Sequence, residues 1–273
     1  MKNVLILGGS GLVGSAIIRE LSTDKRLCLF STVYQRKAPL TADRTFSLDV
    51  GQPDQIHSIL RQTQPQVIIS CLRGDLSSQL AAHTIAAEYL NENGGVLYFF
   101  STANVFDRDM IRAHRESDQP DSCTDYGRYK IACEQKLTAL LRERTCIIRI
   151  PQVWGKNSPR LNQLKNATAP EHRVVVYPRL SISTITDTMI AKKLAYVMEH
   201  NLCGIFHFSA VDSIRYDTFY RELAAKLAVD EAVLEENTEE AGDFVLLSER
   251  EAEFPKPLSF SNRDVIRELT DGI

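Results

Sequence analysis

An excess of basic residues is the first thing missing: 32 Lys and Arg face 35 Asp and Glu over 273 residues, a formal net charge of −3. That balance provides no positive field for nucleic acid or an anionic membrane surface. No apolar run approaches the length that spans a bilayer. The N-terminus lacks the basic start and cleavage site of a signal peptide and opens directly on an apolar strand. A soluble, cytoplasmic chain with no nucleic-acid or membrane partner is therefore expected. Cys28, Cys71, Cys123, Cys133, Cys146 and Cys203 are scattered without a Cys-x-x-Cys pair, and the six histidines show no ligand spacing. No metal site is expected, and the thiols read as reduced and buried. Internal repeats and low-complexity tracts are absent too. The length fits one large α/β domain or two small ones.

What is present begins at residue 4. Val4-Leu5-Ile6-Leu7 reads as a strand buried on both faces, because such strands show no alternation. Gly8, Gly11 and Gly14 follow at a spacing of three, and Val13, Ala16, Ile17 and Leu21 then fall at helical spacing. Strand, glycine turn and helix together make the opening of a dinucleotide-binding βαβ unit. Gly8 suits the tight turn, Gly11 the approach of a pyrophosphate and Gly14 close packing of helix on strand. The helix N-terminus offers its free N–H groups to phosphate. Gly8, Ser10, Gly11, Leu12, Val13 and Gly14 are therefore candidate cofactor ligands.

The second strand, residues 27–33, ends in Tyr34-Gln35-Arg36-Lys37. An NAD enzyme places an acid near this tip for the ribose 2′-OH. No acid occurs between residues 27 and 42. Gln35, Arg36 and Lys37 suit a 2′-phosphate instead, so NADP(H) is preferred over NAD(H), the plainer alternative being a solvated basic turn. Further strands are expected at 46–50, 67–72, 96–100 and 146–150, with helices at 56–64, 76–90 and from Tyr126. This alternation argues for an α/β doubly wound parallel sheet, a Rossmann fold. From Pro151 the pattern breaks up, with helices at 188–198 and 216–227 and a strand at 204–209. The chain divides into a dinucleotide-binding part, 1–155, and a small C-terminal substrate-binding lobe, 156–273, that completes the same globular unit.

Tyr126 and Lys130 stand at i and i+4, on one face of a helix. A phenol is a poor acid near neutrality, and a neighbouring ammonium would make proton exchange with a substrate oxygen easier. This Tyr-x-x-x-Lys match is unique in the chain. It follows a strand that ends in the hydroxyl pair Ser101-Thr102.

With these residues in place, the chain resembles the extended short-chain dehydrogenase/reductases, and within them the dTDP-4-dehydrorhamnose reductase group. Gly8-x-x-Gly11-x-x-Gly14 resembles the family's cofactor loop, and Asp49-Val50 the pair that contacts adenine. Ser101-Thr102-Ala103-Asn104-Val105-Phe106 resembles the segment whose hydroxyl, here Thr102, is catalytic, with Ser101 the fallback. Glu116-Ser117-Asp118 and Tyr126-Gly127-x-x-Lys130 resemble the active-site loop and the Tyr/Lys pair. Arg149 to Gly155 resembles the segment beside the nicotinamide and substrate, which brings in Ile150 for the cofactor and Val153 and Trp154, with Asn104, for the substrate. Gly204-Ile205-Phe206-His207 resembles a strand of the small lobe, and Pro257-Leu258-x-x-Ser261-Asn262 loosely the C-terminal segment.

The resemblance implies an NADP(H)-dependent oxidoreductase that reduces a keto group of a nucleotide sugar or related polar metabolite. Tyr126 would exchange the proton, Thr102 would bond the carbonyl oxygen, and Lys130 would hold the nicotinamide ribose and depress the Tyr126 pKa. A nucleotide-sugar epimerase or dehydratase with tightly held cofactor uses the same residues. A non-catalytic subunit, like the regulatory β subunit of methionine adenosyltransferase, is the rival of another class. Dimers built on helices of the sheet are common in the family, which leaves a homodimer open. Several positions depart from the family pattern. Ala103 replaces an Asp, Asp107 a Gly and Ser122 a Pro, while Cys71-Leu72-Arg73 replaces a small Ala-Ala pair beside the cofactor. Arg73 there would bind a substrate phosphate or carboxylate, or else serve a surface salt bridge.

Overall fold

The computed structural model describes residues 1–168 and 171–272. Its first half alternates β1 (Lys2–Leu7), α1 (Leu12–Leu21), β2 (Leu27–Val33), β3 (Thr45–Ser47), α2 (Pro53–Thr63), β4 (Val67–Ser70), α3 (Leu76–Asn93), β5 (Val96–Thr102), α4 (Asp125–Leu141) and β6 (Thr145–Ile150). The rest of the chain contains β7 (Gln152–Trp154), α5 (Pro159–Lys165), β8 (Val174–Val176), β9 (Arg179–Ile182), β10 (Thr184–Thr186), α6 (Asp187–Glu199), β11 (Gly204–His207), β12 (Ile214–Arg215), α7 (Tyr216–Lys226), β13 (Leu234–Glu236), β14 (Ala241–Phe244) and α8 (Asn262–Thr270).

The main sheet runs β11-β6-β5-β4-β1-β2-β3, with every pairing parallel. Strand order reverses between β1 and β4, and ligands of such sheets bind in the crevice beyond that point. The apolar run of β1 serves two cores at once. Val4 and Ile6 join Ala16, Ile17 and Leu21 on the face covered by α1 and α6, while Leu5 and Leu7 join Ile56, Ile59 and Leu90 on the face covered by α2, α3 and α4. Alternate residues of a strand point to opposite faces, so a doubly covered strand has no polar side.

Two element boundaries differ from expectation in ways that matter for the site. The third strand stops at Ser47, so Asp49 and Val50 lie in the following turn, where Asp49 Oδ1 accepts from Gly51 N at 2.9 Å. The fourth strand stops at Ser70, which leaves Cys71, Leu72 and Arg73 as a loop at the sheet's carboxyl edge. A larger difference concerns residues 204–207. Expected in the lobe, they pair with β6 from Gly204↔Cys146 to His207↔Arg149 and complete the main sheet. Local hydrophobicity carries no information about which partner a strand finds, and β6 would otherwise be an open edge. Around them the lobe is built from small pairings, β7 with β10, β12-β9-β14 and β8 with β13. Asn262 anchors α8, accepting from Thr184 N at 3.0 Å and donating to the Asp212 carbonyl at 2.9 Å. No helix among the described residues is long and apolar enough to cross a membrane.

Trp154, expected at the substrate, is 0% exposed and packs its ring 5.0 Å from Phe219 and 5.4 Å from Tyr220. Its neighbour Val153 points the other way along the strand and lines the crevice. Trp154 is therefore a core residue, as an aromatic alternating with a cleft-facing position must be. Trp154→Ala is expected to cost about 3–5 kcal/mol of stability in urea denaturation. A loss below about 1 kcal/mol would contradict that placement.

Candidate active site

One cleft of about 2150 Å³ crosses the carboxyl edge of the sheet and reaches the lobe. This exceeds the few hundred to about 1,000 Å³ of a pocket for one small molecule, and has room for two ligands side by side. Gly8, Ser10, Gly11, Leu12, Val13 and Gly14 line one part. Gly8 has φ +82°, and a Cβ there would meet the Cys71 carbonyl oxygen at 2.7 Å. At Gly14 a Cβ would come within 2.5 Å of the Gly8 carbonyl oxygen and 2.9 Å of Gly9 Cα, both backbone atoms that cannot yield. Gly11 caps α1 with no side-chain hydrogen bond, and no acid occupies the first turn. The helix therefore presents free N–H groups and its positive end to the cleft. The loop itself is anchored by Gly8 N donating to Thr32 Oγ1 at 3.0 Å, a contact that no sequence pattern signals.

Arg36, Asp49 and Val50 line the cleft near the tip of β2, and Cys71, Leu72 and Arg73 line it beside the glycine loop. Gln35 and Lys37 do not line it and are exposed. The chain bends through residues 34–36 after β2 ends at Val33, and of the Gln35-Arg36-Lys37 group Arg36 alone lines the cleft, so Gln35 and Lys37, expected beside the cofactor, lie outside it.

The remaining expected groups converge farther along. Thr102, Asn104, Tyr126, Lys130, Ile150 and Val153 all line the same cleft. Thr124 caps α4, its hydroxyl accepting from Gly127 N at 3.2 Å, so Tyr126 sits in the first turn and Lys130 one turn on. Lys130 is 5% exposed, donates to the Phe100 carbonyl at 2.7 Å and lies 4.5 Å from the Phe99 ring centre. Burial pushes its pKa from 10.5 down to about 8. Thr102 donates to Asn104 Oδ1 at 3.0 Å from the end of β5. Ser101 points into the protein and donates to Glu134 Oε1 at 2.5 Å, so its hydroxyl is occupied and Thr102 is the one available.

Tyr126 departs from expectation. Burial raises its pKa above 10, with Arg73 and the Thr102 hydroxyl acting in the opposite direction. Lys130 Nζ donates to the Phe100 carbonyl and lies 5.9 Å from the Tyr126 ring centre. Polar and aromatic residues from beyond residues 149–155, Arg160, Tyr177, Ser183 and Tyr216, face the same space. They carry no motif, and only the tertiary fold brings them here. Among the described residues no group of three or more His, Cys, Asp or Glu could hold a metal ion.

Residues 76–258 match the family model described as the RmlD substrate binding domain. The chain belongs to that family. The chain is 23% identical over 240 residues to methionine adenosyltransferase 2 subunit beta of Danio rerio, covering 78% of this chain and 70% of that one. It is 24% identical over 236 residues to dTDP-4-keto-6-deoxy-D-glucose reductase of Streptomyces niveus, covering 78% and 75%. The fold matches the dTDP-4-dehydrorhamnose reductase of Bacillus anthracis, solved with NADP, at a TM-score of 0.79, 18% identity and full coverage of both chains. The RmlD match takes in α3, β5, α4 and β6 as well as most of the lobe, and so spans both Thr102 and the Tyr126/Lys130 pair.

A buried ammonium is a stability liability that can be measured. The unfolded chain binds the Lys130 proton up to pH 10.5, the folded chain only up to about 8, so this group disfavours folding below pH 8 and ceases to do so above 10.5. Lys130→Met is therefore expected to melt higher than the parent at pH 7, with the advantage shrinking as pH rises from 8 towards 10.5. Thermal denaturation across that range checks the sign.

Proposed function

We propose that the chain is an NADP(H)-dependent oxidoreductase that reduces a keto group of a nucleotide sugar or a related polar metabolite. One observation carries this reading: Thr102, Tyr126 and Lys130 line the same cleft as an uncapped, glycine-flanked helix N-terminus. The residues fit a dinucleotide, since Gly8, Gly11 and Gly14 line the cleft and the first turn of α1 beside them is free of side-chain caps and acids. Gly11 to Gly14 would hold the pyrophosphate, Asp49 and Val50 the adenine side, and Arg36 a 2′-phosphate. Cys71, Leu72 and Ile150 would flank the nicotinamide half.

Bound there, the dinucleotide supplies hydride to the carbonyl carbon and is left oxidised. The chain's own residues handle the oxygen. Thr102 Oγ1 is positioned to turn from Asn104 and donate to the oxygen as charge develops on it. Tyr126 gives the proton, which yields the alcohol. Its raised pKa keeps the phenol protonated at neutral pH, the form a reduction requires. Arg73, beside Tyr126, would stabilise the phenolate that remains or bind an anionic group of the substrate. Lys130 would hold a ribose hydroxyl. The lobe, residues 156–273, would bind the rest of the substrate.

Relatives named as nucleotide-sugar reductases support this substrate class. Ala103, where the family carries an acid, favours a substrate with fewer hydrogen-bonding demands at that point. An epimerase or dehydratase would use the same three side chains with retained cofactor. A cytoplasmic setting and a homodimer belong to the same proposal. The Danio rerio relative is named as a subunit of another enzyme, and a partner-binding chain would bind NADPH without turning anything over.

Titration with NADPH and NADH, followed by nicotinamide fluorescence, comes first. NADPH is expected to bind more tightly, and Arg36→Ala to bring the two affinities within about threefold of each other. In a screen of keto sugars, Tyr126→Phe is expected to lower kcat by about a hundredfold or more and leave NADPH affinity within about twofold. Undiminished turnover in that variant would remove Tyr126 from the chemistry.

A further inference from the structure

Behind the reactive face lies a buried charge cluster that the proposed chemistry does not use. Glu134 follows Lys130 by one turn of α4, and its side chain is 8% exposed. Its Oε2 accepts from Arg149 Nη2 at 2.7 Å, and its Oε1 from Arg149 Nε at 3.1 Å and from Ser101 Oγ at 2.5 Å. Arg149 belongs to β6 and is 1% exposed, its guanidinium 5.0 Å from the Phe106 ring centre and its Nη1 directed at the Glu116 carbonyl at 3.5 Å. One carboxylate thus ties the helix bearing Tyr126 and Lys130 to the strand ending in Thr102 and to the next strand. A buried pair is poor evidence of stabilisation, because desolvating two charges offsets most of their attraction. An apolar pair would pack here as well, which leaves the charge to be explained by what it faces.

We propose that Glu134 is a positioning residue for Lys130. Held by Ser101 and Arg149, its carboxylate fixes the register of α4 against β5 and β6 and keeps the neighbouring ammonium protonated. Side chains at i and i+4 of a helix are neighbours, with Cβ atoms about 5–6 Å apart. Among the groups around Lys130, Cys71 and Arg73 approach from the loop after β4, His83 from α3, and Cys133, Tyr126 and Tyr129 from α4 itself. Burial holds His83 and both thiols neutral near pH 7. Arg73 opposes the charge of Lys130, and Glu134, one turn along the same helix, is the carboxylate among the groups that favour it. The proposed oxidoreductase reading enters only through the turnover part of the test.

Lysine labelled with 13C at the ε-carbon, in the full-length chain, reports the Lys130 titration directly, with its resonance assigned by its loss in Lys130→Met. Glu134→Gln keeps the shape and an acceptor oxygen but removes the charge. The Lys130 midpoint is expected to fall by about one pH unit. Glu134→Asp is expected to hold it near the parent value. Arg149→Met, which leaves the carboxylate unopposed, is expected to raise it, and decides the matter alone if the glutamine variant does not fold. A midpoint unchanged in Glu134→Gln, or one that falls in Glu134→Gln and Arg149→Met alike as general loosening would produce, overturns the proposal. With a substrate in hand, the alkaline limb of kcat/KM should move with the midpoint. Shifted midpoints without turnover of any keto sugar would leave this inference standing and count against the oxidoreductase reading.

Discussion

Parallel pairing sends every strand of the main sheet in one direction, and the site follows from that constraint. Chain leaving β1 becomes the glycine loop, chain leaving β4 becomes Cys71 to Arg73, and chain leaving β5 carries Thr102 and Asn104. Where the order reverses between β1 and β4 the connections diverge to opposite faces, and a crevice opens that no helix covers. The two loops at that point touch: Cys71 N donates to the Leu7 carbonyl at 2.9 Å, and the Cys71 carbonyl leaves no space for a side chain at residue 8. The glycine is thus required by the neighbouring strand's exit as much as by any ligand.

Around this crevice the chain tolerates arrangements that a purely structural protein would avoid. An ammonium sits almost without solvent against a backbone carbonyl and a phenyl ring. A buried guanidinium–carboxylate pair lies a helical turn away, and the Ser70 hydroxyl meets a buried imidazole, His83, at 2.6 Å. Each removes polar atoms from water and must replace that hydration with protein partners. Their concentration under one wall of the cleft distinguishes that wall from the two apolar cores. Consistency across levels fails locally at places where something other than folding is selected.

The glycine turn and the Tyr126/Lys130 spacing were legible because their constraints are local. A glycine at residue 8 or 14 answers to atoms within a short stretch of chain, and the spacing of Tyr126 and Lys130 is a property of one helix. Thr102 rather than Ser101 could be read from the resemblance and is explained by Glu134, which occupies the serine. What was not legible depends on tertiary placement. Nothing in residues 204–207 announces that they pair with β6, and Arg160, Tyr177 and Tyr216 become wall residues only through the tertiary fold. Trp154 was misplaced because alternation along a three-residue strand is too short a signal to say which side is core. The spacing of Tyr126 and Lys130 likewise does not fix where a flexible amine finds its hydrogen bond, here the Phe100 carbonyl.

Completion of the main sheet by Gly204–His207 also sets an order of events during synthesis. The edge of β6 stays open until residue 207 has left the ribosome, some way past the last residue of the cofactor-binding half. Until then Cys146, Ile147 and Ile148 belong to an apolar strand paired with β5 but open on its other side, the kind of edge that recruits other chains. The fold therefore closes late and non-locally, with a high contact order. The C-terminal part of the chain thus carries the strand that closes the main sheet, so the two parts are bound into one folding unit.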